Sequence, residues 1–205
     1  ADRVFLVDET GKSVSGSTTT ALLASVFLRE NPGATILYNL ICSRIVPETI
    51  TSLGGKAIRT KNGHSYMKQV MAQTGAVFAG EHSGHYYFAD NYRADSGLIA
   101  TMVVLGEMCR TGKSLSELRK PFEKYANSGE INTQVGNIQE VIERITKQFA
   151  KFPQDHLDGL TVDCGTWWFN VRPSNTEPLL RLNLEAQTRE ECDEHVAELL
   201  MLITA

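Results

Sequence analysis

Through the first hundred residues, short apolar blocks alternate with stretches whose apolar side chains fall three and four positions apart. Val4–Val7, Thr35–Leu40, Lys56–Thr60, Ala76–Ala79 and Tyr86–Phe88 read as strands, the first of them short and buried. Between them, residues 17–30 put Leu22, Leu23, Val26 and Phe27 on one helical stripe, which Asn31-Pro32-Gly33 stops. Pro47 suits the first turn of a helix that ends at Gly54-Gly55. Residues 65–74 turn Met67, Val70 and Met71 inward, and Asp95 is placed to cap a long apolar helix reaching about Cys109. This alternation predicts an α/β domain: a mixed, mostly parallel sheet with helices on both faces.

The rhythm breaks in "RTGKSLSELRKPFEKYANSG", which is charged and punctuated by Gly112, Pro121 and Gly129. Ser114 with Glu117 matches a capping box, so a short helix is expected there, and the domain boundary is placed in this stretch, at about residue 120. Downstream the order changes. Glu130–Gly136 reads as a strand, and Asn137 caps a helix whose inward face is Ile138, Val141, Ile142, Ile145 and Phe149. Three strands follow, Leu160–Asp163, Trp167–Val171 and Leu179–Glu185. A second capping box, Thr188 with Glu191, precedes a last helix, Cys192–Ile203. That order predicts a smaller α+β domain with an antiparallel sheet over residues 121–205, after the larger domain over 13–120.

Composition narrows the function classes. Of 205 residues, 42% are apolar and 21% charged, which is ordinary for a globular chain. A net charge of −4 argues against nucleic acid as a partner. No apolar run approaches the ~20 residues of a membrane span. The opening "ADRVFLVDE" lacks the pattern of a signal peptide, and a chain that begins so close to an apolar run reads as a fragment. Cys42, Cys109, Cys164 and Cys192 form no CxxC pair and read as reduced packing residues of a cytoplasmic protein.

Three segments carry candidate chemistry. In "RPSNTEP", Arg172 offers a planar, permanently charged fork, and Ser174, Asn175 and Thr176 add short donors between two prolines. The segment suits a phosphate clamp; a plain β-turn is the alternative. In "GEHSGH", Gly80 and Gly84 permit a turn that presents Glu81, Ser83 and His85 on one side. A carboxylate beside a hydroxyl suits vicinal sugar hydroxyls; a solvated loop and a metal pair of Glu81 with His85 are the alternatives. In "KNGHS", His64 sits at a strand-to-helix junction beside Lys61, suited to proton transfer or to a phosphate contact, or simply next to a helix cap.

Together these segments resemble the α-D-phosphohexomutases, in particular the phosphomannomutase/phosphoglucomutase branch. Gly80–His85 matches the sugar-binding loop G-E-x-S-G-H of that family's third domain. Arg172, Ser174, Asn175 and Thr176 match the R-x-S-N-T phosphate loop of its fourth, where the Asn favours this branch over the phosphoglucosamine mutases. The resemblance implies that Asp2 and Arg3 are the end of the D-G-D-x-D-R metal loop, with residues 1–12 a remnant of the second domain. It also implies that the phosphoserine loop lies in N-terminal domains this chain does not contain. Where family members often carry a lysine, this chain has Ile41, and Arg44 is the nearest cation.

The implied activity is that of an isomerase of carbohydrate metabolism. It interconverts hexose 1-phosphate and hexose 6-phosphate through a phosphoserine, a hexose 1,6-bisphosphate and Mg²⁺ held in part by Asp2. Mannose or glucose 1-/6-phosphate would be the ligand, contacted by Arg3, Arg44, Glu81, Ser83, His85 and the 172–176 loop, with His64 as the proton-transfer candidate. Groups aimed at the 3- and 4-hydroxyls serve both sugar orientations, because exchanging C1 and C6 roughly preserves those positions. The chain alone is expected to bind without turning over. A phosphoglucosamine mutase-type enzyme and a non-catalytic sugar-phosphate binding module are the competing readings.

Overall fold

Ile36 and Leu37 are consecutive strand residues, so their side chains leave opposite faces of the sheet, and both are fully buried. A strand that is apolar on both faces belongs at the centre of a sheet covered on two sides. The computed structural model, which describes residues 2–174, 177 and 179–205, has that arrangement in the first of two compact units, Ala1–Lys124 and Tyr125–Ala205.

The first unit opens with two very short strands, β1 (Leu6–Val7) and β2 (Ser13–Val14), paired antiparallel. Helix α1 (Gly16–Glu30) follows, then β3 (Thr35–Asn39), α2 (Ile45–Ser52), β4 (Lys56–Thr60), α3 (His64–Thr74), β5 (Phe78–Gly80), β6 (Tyr86–Phe88), α4 (Gly97–Thr111) and α5 (Leu115–Arg119). The main sheet runs β4-β3-β5-β6. Strand β3 is parallel to β4 and β5, and β6 is antiparallel to β5. One core cluster joins Leu37, Ala79 and Tyr87 of the sheet to Met67 and Met71 of α3. Near α1, Phe27 stacks on Phe78 with centroids 5.1 Å apart.

Two expectations fail here. Val4–Val7 is not a buried strand of the main sheet: Phe5 is 61% exposed, and Leu6–Val7 pairs only with Ser13–Val14. The Asp8 carboxylate stops the run by accepting from the backbone N–H of Thr10 and of Lys12. Asp95 does not cap α4; its neighbour Ser96 does, accepting from the Ile99 N–H at 3.2 Å. The capping box of Ser114 with Glu117 is present at α5. Cysteine packing holds for Cys42 and Cys192, whereas Cys109 is exposed.

Glu107 of α4 supplies a measurable ion-pair cluster. Its carboxylate accepts from Arg110 at 2.7 and 2.8 Å and from Arg29 of α1 at 2.8 and 3.1 Å. The Arg110 hydrogen bonds, then those of Arg29, pull the carboxyl from 4.5 to about 2. A folded-state value below the unfolded one gives stability that is complete above the unfolded value and lost as pH falls toward 2. Because both guanidiniums are partly solvated, the loss is about 1–2 kcal/mol rather than the full linkage value. Urea midpoints measured from about pH 5 down to about pH 2.5 should therefore fall further for the parent than for Glu107→Gln. Parallel pH profiles would show that the cluster contributes nothing.

The second unit contains β7 (Ala126–Gln134), α6 (Ile138–Gln148), β8 (Gln154–Asp155), β9 (Leu160–Asp163), β10 (Trp168–Pro173), β11 (Leu179–Ala186) and α7 (Arg189–Thr204). Its sheet, β7-β11-β10-β9-β8, is antiparallel throughout. Asn137 caps α6 through the N–H groups of Gln139 and Glu140, and Thr188 caps α7. The inward faces of α6 and α7 meet the sheet around Ile145, Phe149, Phe169, Leu182 and Leu199. Strand β7 begins four residues before the expected Glu130, because Gly129 sits inside it at φ 68° instead of breaking it. No helix among the described residues is long and apolar enough to cross a membrane.

Candidate functional site

Strands β4, β3 and β5 run parallel, so the loops leaving their C-terminal ends gather on one side of the sheet, where open α/β sheets bind ligands. In the loop after β5, the Glu81 N–H donates to the His85 carbonyl at 2.9 Å and the Gly84 N–H to the Glu81 carbonyl at 3.1 Å. Gly84 takes φ 84°, which a side chain would resist. This turn aims Glu81, Ser83 and His85 into one cleft of about 410 Å³, shared with Asp2, Arg3, Gly63, His64, Tyr87 and Asp95.

The Glu81 carboxylate is 5% exposed and held at both oxygens. Oε2 accepts from the Ser83 hydroxyl at 2.7 Å and Oε1 from the Tyr87 phenol at 3.1 Å. Burial, then the charge of Glu81, raises the Tyr87 phenol far above its ordinary range, so it remains a donor. A buried carboxylate fixed by two hydroxyls keeps lone pairs for further hydroxyl donors.

His85 is held by the residue expected to cap α4. Its Nδ1 lies 2.7 Å from Asp95 Oδ2, and the Lys68 ammonium is 3.7 Å from Asp95 Oδ1. A carboxylate only accepts, so Nδ1 carries the proton; in the neutral form of the ring, Nε2 is the acceptor. The chain before β1 passes over the same loop: Arg3 forms an antiparallel bridge with His85, and the Val4 N–H donates to the Gly84 carbonyl at 3.1 Å. Backbone hydrogen bonding at Asp2 itself, and further down the nearby His85, lower the Asp2 carboxyl.

Ligand atoms of Asp2, His85 and Asp95 lie within 4.8 Å of one another. Glu81 is not among them. One imidazole nitrogen and two carboxylates, with an ammonium beside one of them, do not fit Mg²⁺, which takes about six oxygens in octahedral geometry.

The remaining predicted residues are placed as follows. His64 is the exposed first residue of α3 and lines the cleft. Arg44 stands at the start of α2 and is not among the residues lining it. Arg172 and Ser174 lie in the second unit; Asn175 and Thr176 fall outside the described residues.

In the second unit, Arg172 of β10 stands directly opposite Arg181 of β11. Like charges facing each other across a ladder repel unless an anion joins them. Glu130 of β7 supplies one carboxylate, 2.9 Å from Arg172 Nη2 and 3.3 Å from Arg181 Nη1, and Arg181 Nη2 donates to the Ser174 hydroxyl at 3.0 Å. Both Nε groups are buried without a hydrogen-bond partner among the described residues. Two guanidiniums against one carboxylate leave a positive charge and unmet donors, the chemistry of an anion site.

The sequence reading missed Tyr87, Lys68, Asp95, Glu130 and Arg181 as members of these clusters. Arg181 had a signal, since it is the cation nearest the 172–178 loop on the strand that follows. Asp95 had none, because its distance to His85 is set only by how β6 leads into α4.

A family model described as "Phosphoglucomutase/phosphomannomutase, alpha/beta/alpha domain III" matches residues 15–125, and one described as "Phosphoglucomutase/phosphomannomutase, C-terminal domain" matches residues 130–201. Among curated proteins, a phosphomannomutase of Methanocaldococcus jannaschii is 45% identical over 202 residues, 98% of this chain and 45% of that protein. One of Escherichia coli K12 is 38% identical over 189 residues, 91% of this chain and 41% of that protein. Among solved structures, a phosphoglucomutase/phosphomannomutase family protein of Burkholderia thailandensis superposes with TM-score 0.83 at 28% identity, covering 97% of this chain and 44% of that one. An Aspergillus fumigatus N-acetylphosphoglucosamine mutase, solved with GlcNAc-6P and magnesium, shares the fold at TM-score 0.73 and 13% identity, covering 100% of this chain and 50% of that one. The chain thus spans less than half the length of the curated relatives it matches.

Proposed function

The chain belongs to the phosphoglucomutase/phosphomannomutase family, and from that premise we propose that it is the sugar-phosphate-binding part of a phosphohexomutase. The whole enzyme would interconvert hexose 1-phosphate and hexose 6-phosphate through a phosphoserine and a hexose 1,6-bisphosphate. Relatives named phosphomannomutase favour mannose phosphates as its substrates, and the family description adds glucose phosphates. The observation that carries this reading is the buried Glu81 carboxylate, fixed by Ser83 and Tyr87 and facing the cleft.

In this reading Glu81 accepts from the sugar hydroxyls and Ser83 both donates and accepts. His85 takes the proton of the hydroxyl that attacks the phosphoryl group at Nε2, and Asp95 keeps the ring in that tautomer. His85 is preferred to His64 for this role because it has an orienting carboxylate at 2.7 Å, whereas His64 is exposed. His64 and Arg3 then contact the ligand from the walls of the cleft, and Arg44, outside that lining, meets it from the start of α2. Arg172 and Ser174, joined by Arg181, take the phosphate, with Asn175 and Thr176 in the same loop. Mg²⁺ would need more oxygen ligands than the group of Asp2, His85 and Asp95 offers, so no step is routed through it.

Calorimetric titration with mannose 6-phosphate, combined with a mutase assay, tests the reading. The chain should bind without turnover, and Glu81→Gln should weaken binding at least about tenfold, as expected for a lost charge-assisted hydrogen bond. Parent-like affinity in Glu81→Gln would remove Glu81 from the site. Turnover by this chain would place the phosphoryl carrier within it.

A further inference from the structure

Asn39 is the last residue of β3, it is polar, and it is 1% exposed. A buried amide costs stability unless its donors and acceptors are met. Its Oδ1 accepts from the His82 backbone N–H at 3.1 Å and from the Cys42 thiol at 2.9 Å. Its Nδ2 donates to Asn62 Oδ1 at 2.5 Å. The His82 N–H can only donate, so the amide's orientation is fixed. Burial pushes the Cys42 thiol up to about 12, so it too remains a donor.

These partners belong to three different loops. Cys42 lies in the loop after β3, which leads to Arg44. Asn62 lies in the loop after β4, which leads to His64. His82 lies in the loop after β5, between Glu81 and Ser83. A second buried side chain repeats two of these connections. Ser17 of α1 is 2% exposed; its Oγ accepts from the Ser43 N–H at 3.0 Å and lies 2.9 Å from His82 Nδ1. The loop holding Glu81 and Ser83 is therefore tied to its neighbours at both the backbone and the ring of His82.

We infer that Asn39 is a positioning residue: by joining the three loops at the C-terminal ends of β3, β4 and β5, it sets the aim of Glu81 and Ser83 without touching the sugar. The inference rests on the reading that Glu81 and Ser83 hold the sugar. In its terms, affinity for a hexose phosphate depends on a side chain buried beneath the cleft.

Two measurements on the full chain test it. The first is hydrogen exchange of the unmodified chain: the His82 amide, bonded to a buried side chain, should exchange at least about a hundredfold more slowly than an open loop amide. The second is calorimetric titration of Asn39→Ala with mannose 6-phosphate. Its affinity should fall about tenfold while exchange over residues 81–84 rises by a similar factor. Asn39→Asp, which keeps the acceptor for His82 but loses the donor to Asn62 and buries a charge, should recover only part of that affinity. Unprotected exchange at His82 overturns the inference even if Asn39→Ala does not fold, as does parent-like affinity in a folded Asn39→Ala. Glu81→Gln separates the two readings. If it binds like the parent, the sugar-site reading fails; if it alone weakens binding, only the role of Asn39 fails.

Discussion

Gly16→Ala is expected to destabilise the first unit by about 3 kcal/mol or more, whereas Gly106→Ala, the same change in another helix, stabilises it by about 0.5–1 kcal/mol. Gly16 is the first residue of α1, and the N-terminal turn of that helix is pressed against the loop that carries Glu81. A Cβ at Gly16 would lie 2.1 Å from the His82 carbonyl oxygen, 2.7 Å from its carbon and 3.0 Å from the Glu81 carbonyl oxygen. All three atoms are backbone, so no side chain can rotate out of the way. Either the helix end or the loop must move, and moving the loop breaks the hydrogen bonds of His82 to Asn39 and Ser17. Gly106 in α4 is exposed, and a Cβ there meets nothing within 4 Å. Only the backbone-entropy advantage of alanine in a helix remains. Urea midpoints of the two variants should move in opposite directions from the parent. A Gly16→Ala chain as stable as the parent would mean that the close approach of α1 to the loop is not rigid.

The contrast between these glycines shows what a sequence can and cannot disclose. Gly16 borders the first predicted helix and Gly106 lies inside another, but neither neighbourhood discloses what backbone from elsewhere in the chain approaches it. Features decided within a few residues were legible: the Asn137, Thr188 and Ser114 caps, and the inward stripes of α3 and α6, follow from spacing alone. The loop 80–85 was legible as a turn of convergent polar groups because its glycines and hydroxyls are consecutive. Asp95 and Ser96 are both good caps and are adjacent. Which of them caps depends on His85, ten residues away in sequence, drawing Asp95 off. Val4–Val7 has a strand's composition but lies outside the main sheet, because apolar runs this short do not record which partner they meet. Gln154–Asp155 pairs with β9 although neither residue favours strands, since the existing edge supplies the hydrogen bonds. Asn39 was invisible for the same reason as Asp95: a buried amide serving three loops looks in sequence like any polar residue at a strand end.

Arg172→Ala should lower affinity for mannose 6-phosphate about a hundredfold, the loss expected when a buried charge-assisted pair of hydrogen bonds to phosphate is removed. Arg172 is 7% exposed, and its guanidinium is held by Glu130 rather than by solvent, so its fork is set before any ligand arrives. Arg181 opposite it raises the local positive charge and positions the Ser174 hydroxyl. Arg172→Lys keeps the charge but not the planar fork and should recover only part of the affinity. The stability cost should be smaller than that of Gly16→Ala, because Glu130 keeps its pair with Arg181 at 3.3 Å and is not left as an unpaired carboxylate. Inorganic phosphate separates this role from that of the sugar loop. Its binding should be lost in Arg172→Ala and kept in Glu81→Gln, since in the proposed reading only the first variant removes a phosphate contact. Loss of phosphate binding in both variants, or in neither, would overturn the division of labour in which Glu81 and Ser83 read hydroxyls and Arg172 anchors the phosphate.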